Sequence, residues 1–159
     1  MSEQFALPSI VVGIDGSRNA VHAALWAIDE AISREVPLRL VAAAETTDEQ
    51  TDAEAALRSA AAAVTATGRP VSLETQVIVG APIPALLQAS GAAAMLCVGA
   101  VGIKHFDRHR VGSTAGALVA SAHCPVALVR GSAAAADDNP SWVVVELDET
   151  TDSAAVLQS

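Results

Sequence analysis

Aromatic side chains are scarce in this chain: two Phe, two Trp and no Tyr in 159 residues. With so few flat rings, a stacking platform for single-stranded nucleic acid is not expected. Positive charge is scarce as well. Nine Lys and Arg stand against 18 Asp and Glu, and the net charge of −9 argues against a general role on DNA, RNA or an anionic membrane. Cys97 lies inside an apolar run and Cys124 precedes Pro125, and there is no other cysteine. Without a CxxC pair or a Cys/His cluster at zinc spacing, both read as structural thiols. No stretch approaches the roughly 18 uninterrupted apolar residues of a membrane span, and the first residues carry no basic leader. A soluble, cytoplasmic protein is expected.

Familiar catalytic and nucleotide signatures are missing too. There is no Walker A lysine motif, and Gly13-Ile-Asp-Gly16 has the wrong spacing for a GxGxxG turn. Ser17, Ser113 and the scattered histidines do not assemble a Ser-His-Asp triad. His105 and His109 are four apart, but no Glu or Cys set supports them as metal ligands. No catalytic and no metal-binding residue is therefore assigned.

What is present is apolar. Hydrophobic residues make up 52% of the chain, enough for a sizeable core in one domain, although much of that share is alanine. Pro8 through Ile14 is a short β-rich run that ends at the turn Asp15-Gly16-Ser17. Ser17 or Asn19 can cap the next element, where Val21, Leu25, Ile28 and Ile32 recur at helical spacing. Trp26 falls beside that stripe and reads as packing. Leu38 to Ala44 is a second strand. An acidic loop from Glu45 leads to the capping-box pattern Thr51-Asp52-Ala53-Glu54 and an alanine-rich helix ending at Gly68. Val71 to Val79 is a third strand, and Gly80-Ala81-Pro82 opens a short helix stopped by Gly91. Ala94 to Val98 is a fourth strand and Pro125 to Val129 a fifth.

This βαβαβαβαβ order, with short strands apolar on both faces, predicts an α/β fold: an open parallel sheet with helices on both sides. In such sheets ligands bind beyond the carboxyl ends of the strands, where strand order reverses. The fourth strand feeds Gly99-Ala100-Val101-Gly102; nine residues follow, then Gly112-Ser113-Thr114 at a helix start. Glycine admits close backbone approach, and a helix start offers free N–H groups, so this stretch reads as an anion seat. Lys104, Arg108, Arg110 and Arg130 cluster around it against Asp107 alone, whereas the acids gather at residues 45–54 and 137–152. The alternative is a solvated basic loop. If the first and fourth strands are neighbours, Asp15 and Gly99 share the crevice, although Asp15 taken alone also fits a plain turn-former. An acid and a glycine loop together point to ribose and phosphate.

After Arg130 the character changes. Residues 132–141 read as a linker between a domain at 1–131 and an extension at 142–159. Trp142-Val-Val-Val-Glu-Leu-Asp148 resembles Ile10-Val-Val-Gly-Ile-Asp15, as if a second copy began there; two apolar strands also match by coincidence. A lone strand needs a sheet edge, its own or a partner's.

The Gly99-x2-Gly102-x9-Gly112-Ser113 pattern is similar to the ATP-binding signature of universal stress proteins. Val11 to Ser17, Gly80-Ala81-Pro82 and His123 to Arg130 resemble the same family, so the likeness covers about residues 8–131. It implies a five-stranded parallel sheet of order 3-2-1-4-5, a common dimeric or other homo-oligomeric assembly, and ATP as ligand. Mg2+ is allowed, and AMP or a cyclic nucleotide is an alternative. By position, Asp15 with backbone at Gly13 and Ile14 would meet the adenosine, and Ala43 and Val98 would flank the base. Gly99 and Gly102 would let the loop pass ribose and phosphates, and Gly112, Ser113 and Thr114 would donate to the phosphates. The spacer at residues 103–111 departs from the family in being more basic. With no evident general base, binding rather than rapid hydrolysis is expected, in a nucleotide-responsive stress regulator. The alternatives are an interaction module that uses its C-terminal strand, or a slow ATP hydrolase.

Overall fold

The structure is a computed structural model that describes residues 8–100, 113–130 and 142–145. Its elements follow in the order β1 (Ser9–Gly13), α1 (Arg18–Arg34), β2 (Leu38–Ala44), α2 (Thr47–Ala66), β3 (Leu73–Val79), α3 (Pro82–Ser90), β4 (Ala93–Gly99), α4 (Ser113–Ser121), β5 (Val126–Val129) and β6 (Trp142–Val145). One sheet of order β3-β2-β1-β4-β5-β6 holds them together. The first five strands are parallel, as expected from the sequence, with Ile10 opposite Leu38 on one side and Met95 on the other. The lone strand near the end finds the chain's own sheet: β6 runs antiparallel along β5, from Val126 opposite Val145 to Val129 opposite Trp142. The linker at residues 132–141 and residues 146–159 lie outside the described residues.

Strand periodicity divides the core. Ile10, Val12, Leu38, Leu40 and Cys97 point to one face, where α1 and α2 cover them; Val11, Val41, Leu96 and Val126 point to the other, under α3 and α4. All five residues of β1 are buried, because it is central and covered on both sides. The buried face of α1 is mostly alanine (Ala20, Ala23, Ala24, Ala27, Ala31, with Ile28), so the helix lies close to the sheet. Val21, Leu25, Trp26 and Ile32 flank that face, half-buried against the same core.

Two boundaries differ from the sequence expectation. Helix α2 starts at Thr47, so Thr47 to Gln50 is helical and only Glu45 and Thr46 remain of the expected acidic loop. Thr46 to Glu49 satisfies the same capping pattern five residues earlier: Thr46 Oγ1 accepts from the Glu49 N–H at 3.2 Å, and the Glu49 carboxylate reaches back to the Glu45 N–H at 2.7 Å. Asp48 and Glu49 then sit at the positive end of the helix dipole, which favours the earlier start. Strand β3 begins at Leu73 rather than Val71, since the Val71 N–H turns back to the Arg69 carbonyl. Both cysteines are free thiols. Burial pushes the Cys97 thiol far above its ordinary range, and Cys124 upward as well, so neither is primed as a nucleophile.

Candidate functional site

The carboxyl ends of β1, β2 and β4 open into a cavity of about 660 Å³. It lies where the chain order reverses, β2 turning to one side of β1 and β4 to the other, which is where open α/β sheets form their crevices. Its size is in the ordinary range for a small-molecule site.

Each wall has a local cause. After β1, Ile14 stays buried and its N–H bonds to the Val41 carbonyl at 2.8 Å, so the chain runs straight to the mouth before turning. There Asp15 accepts from the Ser17 N–H through Oδ1 at 2.9 Å, and Gly16 turns with φ 84°. Ser17 Oγ accepts from the Ala20 N–H at 3.2 Å and caps α1. Asp15 is thus a turn-former, and it is also exposed at the mouth with its second oxygen unused by that turn.

The floor depends on two glycines. A Cβ on Gly13 would lie 3.0 Å from Leu86 Cδ1 and 3.2 Å from Val98 Cγ1, so its absence leaves room against the apolar wall. A Cβ on Gly99 would lie 2.8 Å from Asn19 Cβ and 2.9 Å from the Asn19 carbonyl carbon. Gly99 is therefore required by the packing of β4 against the first turn of α1, a reason the sequence does not reveal.

Of the residues picked from sequence, Gly13, Ile14, Asp15, Ala43, Val98, Gly99 and Thr114 line this one cavity. Ser113 is the first residue of α4. Gly102, Gly112 and the basic spacer lie outside the described residues. Sequence reading missed the contribution of α2. Glu49, Asp52, Ala53 and Ala56 all line the cavity, and their i, i+3, i+4, i+7 spacing places them on one helix face. That stripe is readable only once the helix is started at Thr47. Pro82, Leu86 and Ala115 close the opposite wall.

The electrostatics are lopsided. Asp15, Glu49 and Asp52 line the cavity, and among the described lining residues there is no Lys, Arg or His. Favourable partners for an anion are the amide ends of α1 and α4, each of which opens at the cavity. No group of three or more His, Cys, Asp or Glu is placed to hold a metal among the described residues. Nor is any described helix long and apolar enough to cross a membrane.

Comparison with known proteins agrees with this architecture. The universal stress protein Rv2028c of Mycobacterium tuberculosis is 47% identical over 99% of this chain and 60% of its own, and Rv3134c of the same organism is 49% identical over 93% and 59%. The chain therefore spans about 60% of the length of these curated relatives. A solved universal stress protein in complex with cAMP shares 29% identity at a TM-score of 0.66, covering 80% of this chain and 99% of its own. The universal stress protein of Archaeoglobus fulgidus in complex with dAMP, 23% identical at a TM-score of 0.60 over 77% and 97%, bears on the fold alone. The family model for universal stress proteins matches residues 7–130, which takes in β1 through β5 and every wall of the cavity: this chain belongs to the universal stress protein family.

Proposed function

We propose that the chain binds an adenine nucleotide in this cavity and acts as a nucleotide-responsive stress regulator that binds ATP rather than turning it over rapidly. One observation carries the reading: Asp15 at the end of β1 and the opening of α4 at Thr114 line one cavity at the point where strand order reverses. Asp15 is the acceptor for ribose hydroxyls, Ala43 and Val98 flank the base, and Thr114 with the α4 amides meets phosphate. Gly102, Gly112 and Ser113 complete the phosphate side by the family resemblance. The 29% identical relative in complex with cAMP supports the adenine class.

Calorimetry on nucleotide-free protein tests this. ATP, AMP or cAMP binds the wild type, and Asp15→Ala weakens that binding about tenfold or more, as loss of a charge-assisted hydrogen bond does. Failure of all three ligands to bind sinks the reading. ATP hydrolysis above the rate in buffer would favour the hydrolase instead.

The antiparallel seat of β6 on β5 favours a second reading, in which residues 142–159 serve assembly and open a second copy of the domain. Deleting residues 132–159 changes the mass in solution if this holds, and leaves a homo-oligomer unaltered if it does not.

A further inference from the structure

The two ends of the cavity have opposite electrical character. Toward β4, Gly99 and Thr114 stand at the opening of α4, where free amides attract negative charge. Toward β2, the face of α2 brings in Glu49 and Asp52 beside Ala43, Ala53 and Ala56. Two strand spacings, roughly 10 Å, separate β2 from β4. A ligand with a phosphate at one end therefore lies in one direction only, its uncharged end against α2.

Small side chains at Ala43, Ala53 and Ala56 leave a flat apolar slot there, and the carboxylates edge it. Glu49 is already engaged, accepting from the Glu45 N–H. Asp52 has no hydrogen-bond or ion-pair partner among the described residues, and it sits one turn further along the same helix face. An ionised carboxylate only accepts hydrogen bonds. A donor presented to it gains a charge-assisted bond; an oxo group in the same place meets a like partial charge at the exposed rim where Asp52 stands.

Resting on the nucleotide reading above, we propose that Asp52 is a specificity-determining residue that selects a purine bearing an exocyclic amino group over its oxo counterpart. In this orientation the 6-amino group of adenine donates to Asp52, and hypoxanthine, which has an oxygen at that position and carries its proton on N1 instead, is disfavoured.

The test compares AMP with IMP and with purine riboside 5′-monophosphate, which has neither a 6-substituent nor an N1 proton, by calorimetry on the full chain. Wild type prefers AMP by about tenfold, the scale of one hydrogen bond to a charged partner. Asp52→Ala brings the ratio near one, and Asp52→Asn, whose amide donates as well as accepts, does the same or inverts it. Asp48→Ala removes a carboxylate from the same helix that does not line the cavity, and the tenfold ratio survives it. A merely structural effect of Asp52 would weaken all three ligands alike. AMP binding with no preference in the wild type, or a preference that Asp52→Ala leaves intact, overturns the assignment while the nucleotide site stands. Absence of binding by AMP, IMP, ATP and cAMP overturns both.

Discussion

The two faces of the sheet are built by different means. On one, α1 and α2 run 17 and 20 residues, each capped by a hydroxyl, Ser17 or Thr46, and both pack largely through alanine. On the other, α3 and α4 are nine residues each, and α3 starts from Ala81 and Pro82 with no side-chain cap bond. Long capped helices close to a sheet hold their own register. Short apolar ones depend on the sheet for theirs, because an isolated helix of that length is unstable. The cavity draws on both. Its carboxylates come from the end of β1 and from α2, whereas Pro82, Leu86 and Ala115 of the short face close the wall opposite. The carboxylates and the apolar closing wall thus come from different halves of the molecule.

The largest expected effect breaks the long face. Leu40 is fully buried in β2, between β1 and β3 and beneath the alanine-packed helices. Neighbours held by two strand registers cannot collapse into the space, so Leu40→Ala is expected to cost about 3–5 kcal/mol. Leu118 is as deeply buried, but it is carried by the nine-residue α4 itself. That helix can settle inward, and Leu118→Ala should cost about 2–3 kcal/mol. Urea midpoints of the two variants measure the gap. Equal losses would mean that the short face is as firmly held as the long one.

Next in size is a substitution where the halves of the sheet meet the first helix. Gly99→Ala drives a Cβ into the backbone of Asn19, and relief requires β4 or α1 to shift. Overpacking of this kind costs about 1–3 kcal/mol. Gly91, after the short α3, has a right-handed φ of −61° and only the Gln88 carbonyl oxygen near its Cβ position, at 3.5 Å. Gly91→Ala should be neutral or gain up to about 1 kcal/mol, through the unfolded chain. Thermal denaturation of the pair decides whether glycine matters here by position or merely by type.

These residues also mark how far the sequence can be read. The five parallel strands follow from apolar runs and turn residues, and β1 through Asp15-Gly16-Ser17 is legible to within a residue. Strand order is a different matter. Periodicity does not contain it, and the expected 3-2-1-4-5 came with the resemblance carried by Gly99 to Ser113. Asp15, Ala43, Val98 and Thr114 line one cavity. The α2 face was not legible, because two capping patterns five residues apart compete and the local sequence does not say that Thr46 prevails over Thr51. With the start misplaced, Glu49 falls in a loop and loses its alignment with Asp52. The role of Gly99 against Asn19 was hidden for another reason: contacts between residues eighty apart leave no mark on either segment.

The smallest effect sharpens the comparison at the helix starts. Thr46→Ala removes the acceptor for the Glu49 N–H, and Ser17→Ala the acceptor for the Ala20 N–H; each should cost about 1 kcal/mol. The short face offers the control. Ala81 has the extended geometry of a cap residue, φ −67° and ψ 152°, but Pro84, three residues on, has no N–H to give a cap oxygen. Ala81→Ser is therefore expected to leave stability within about 0.5 kcal/mol of the wild type. Denaturation curves for the three variants then give two losses and one null. A gain of about 1 kcal/mol on Ala81→Ser would mean that the Ile83 N–H alone suffices for a side-chain cap, and that the short face is the worse capped of the two.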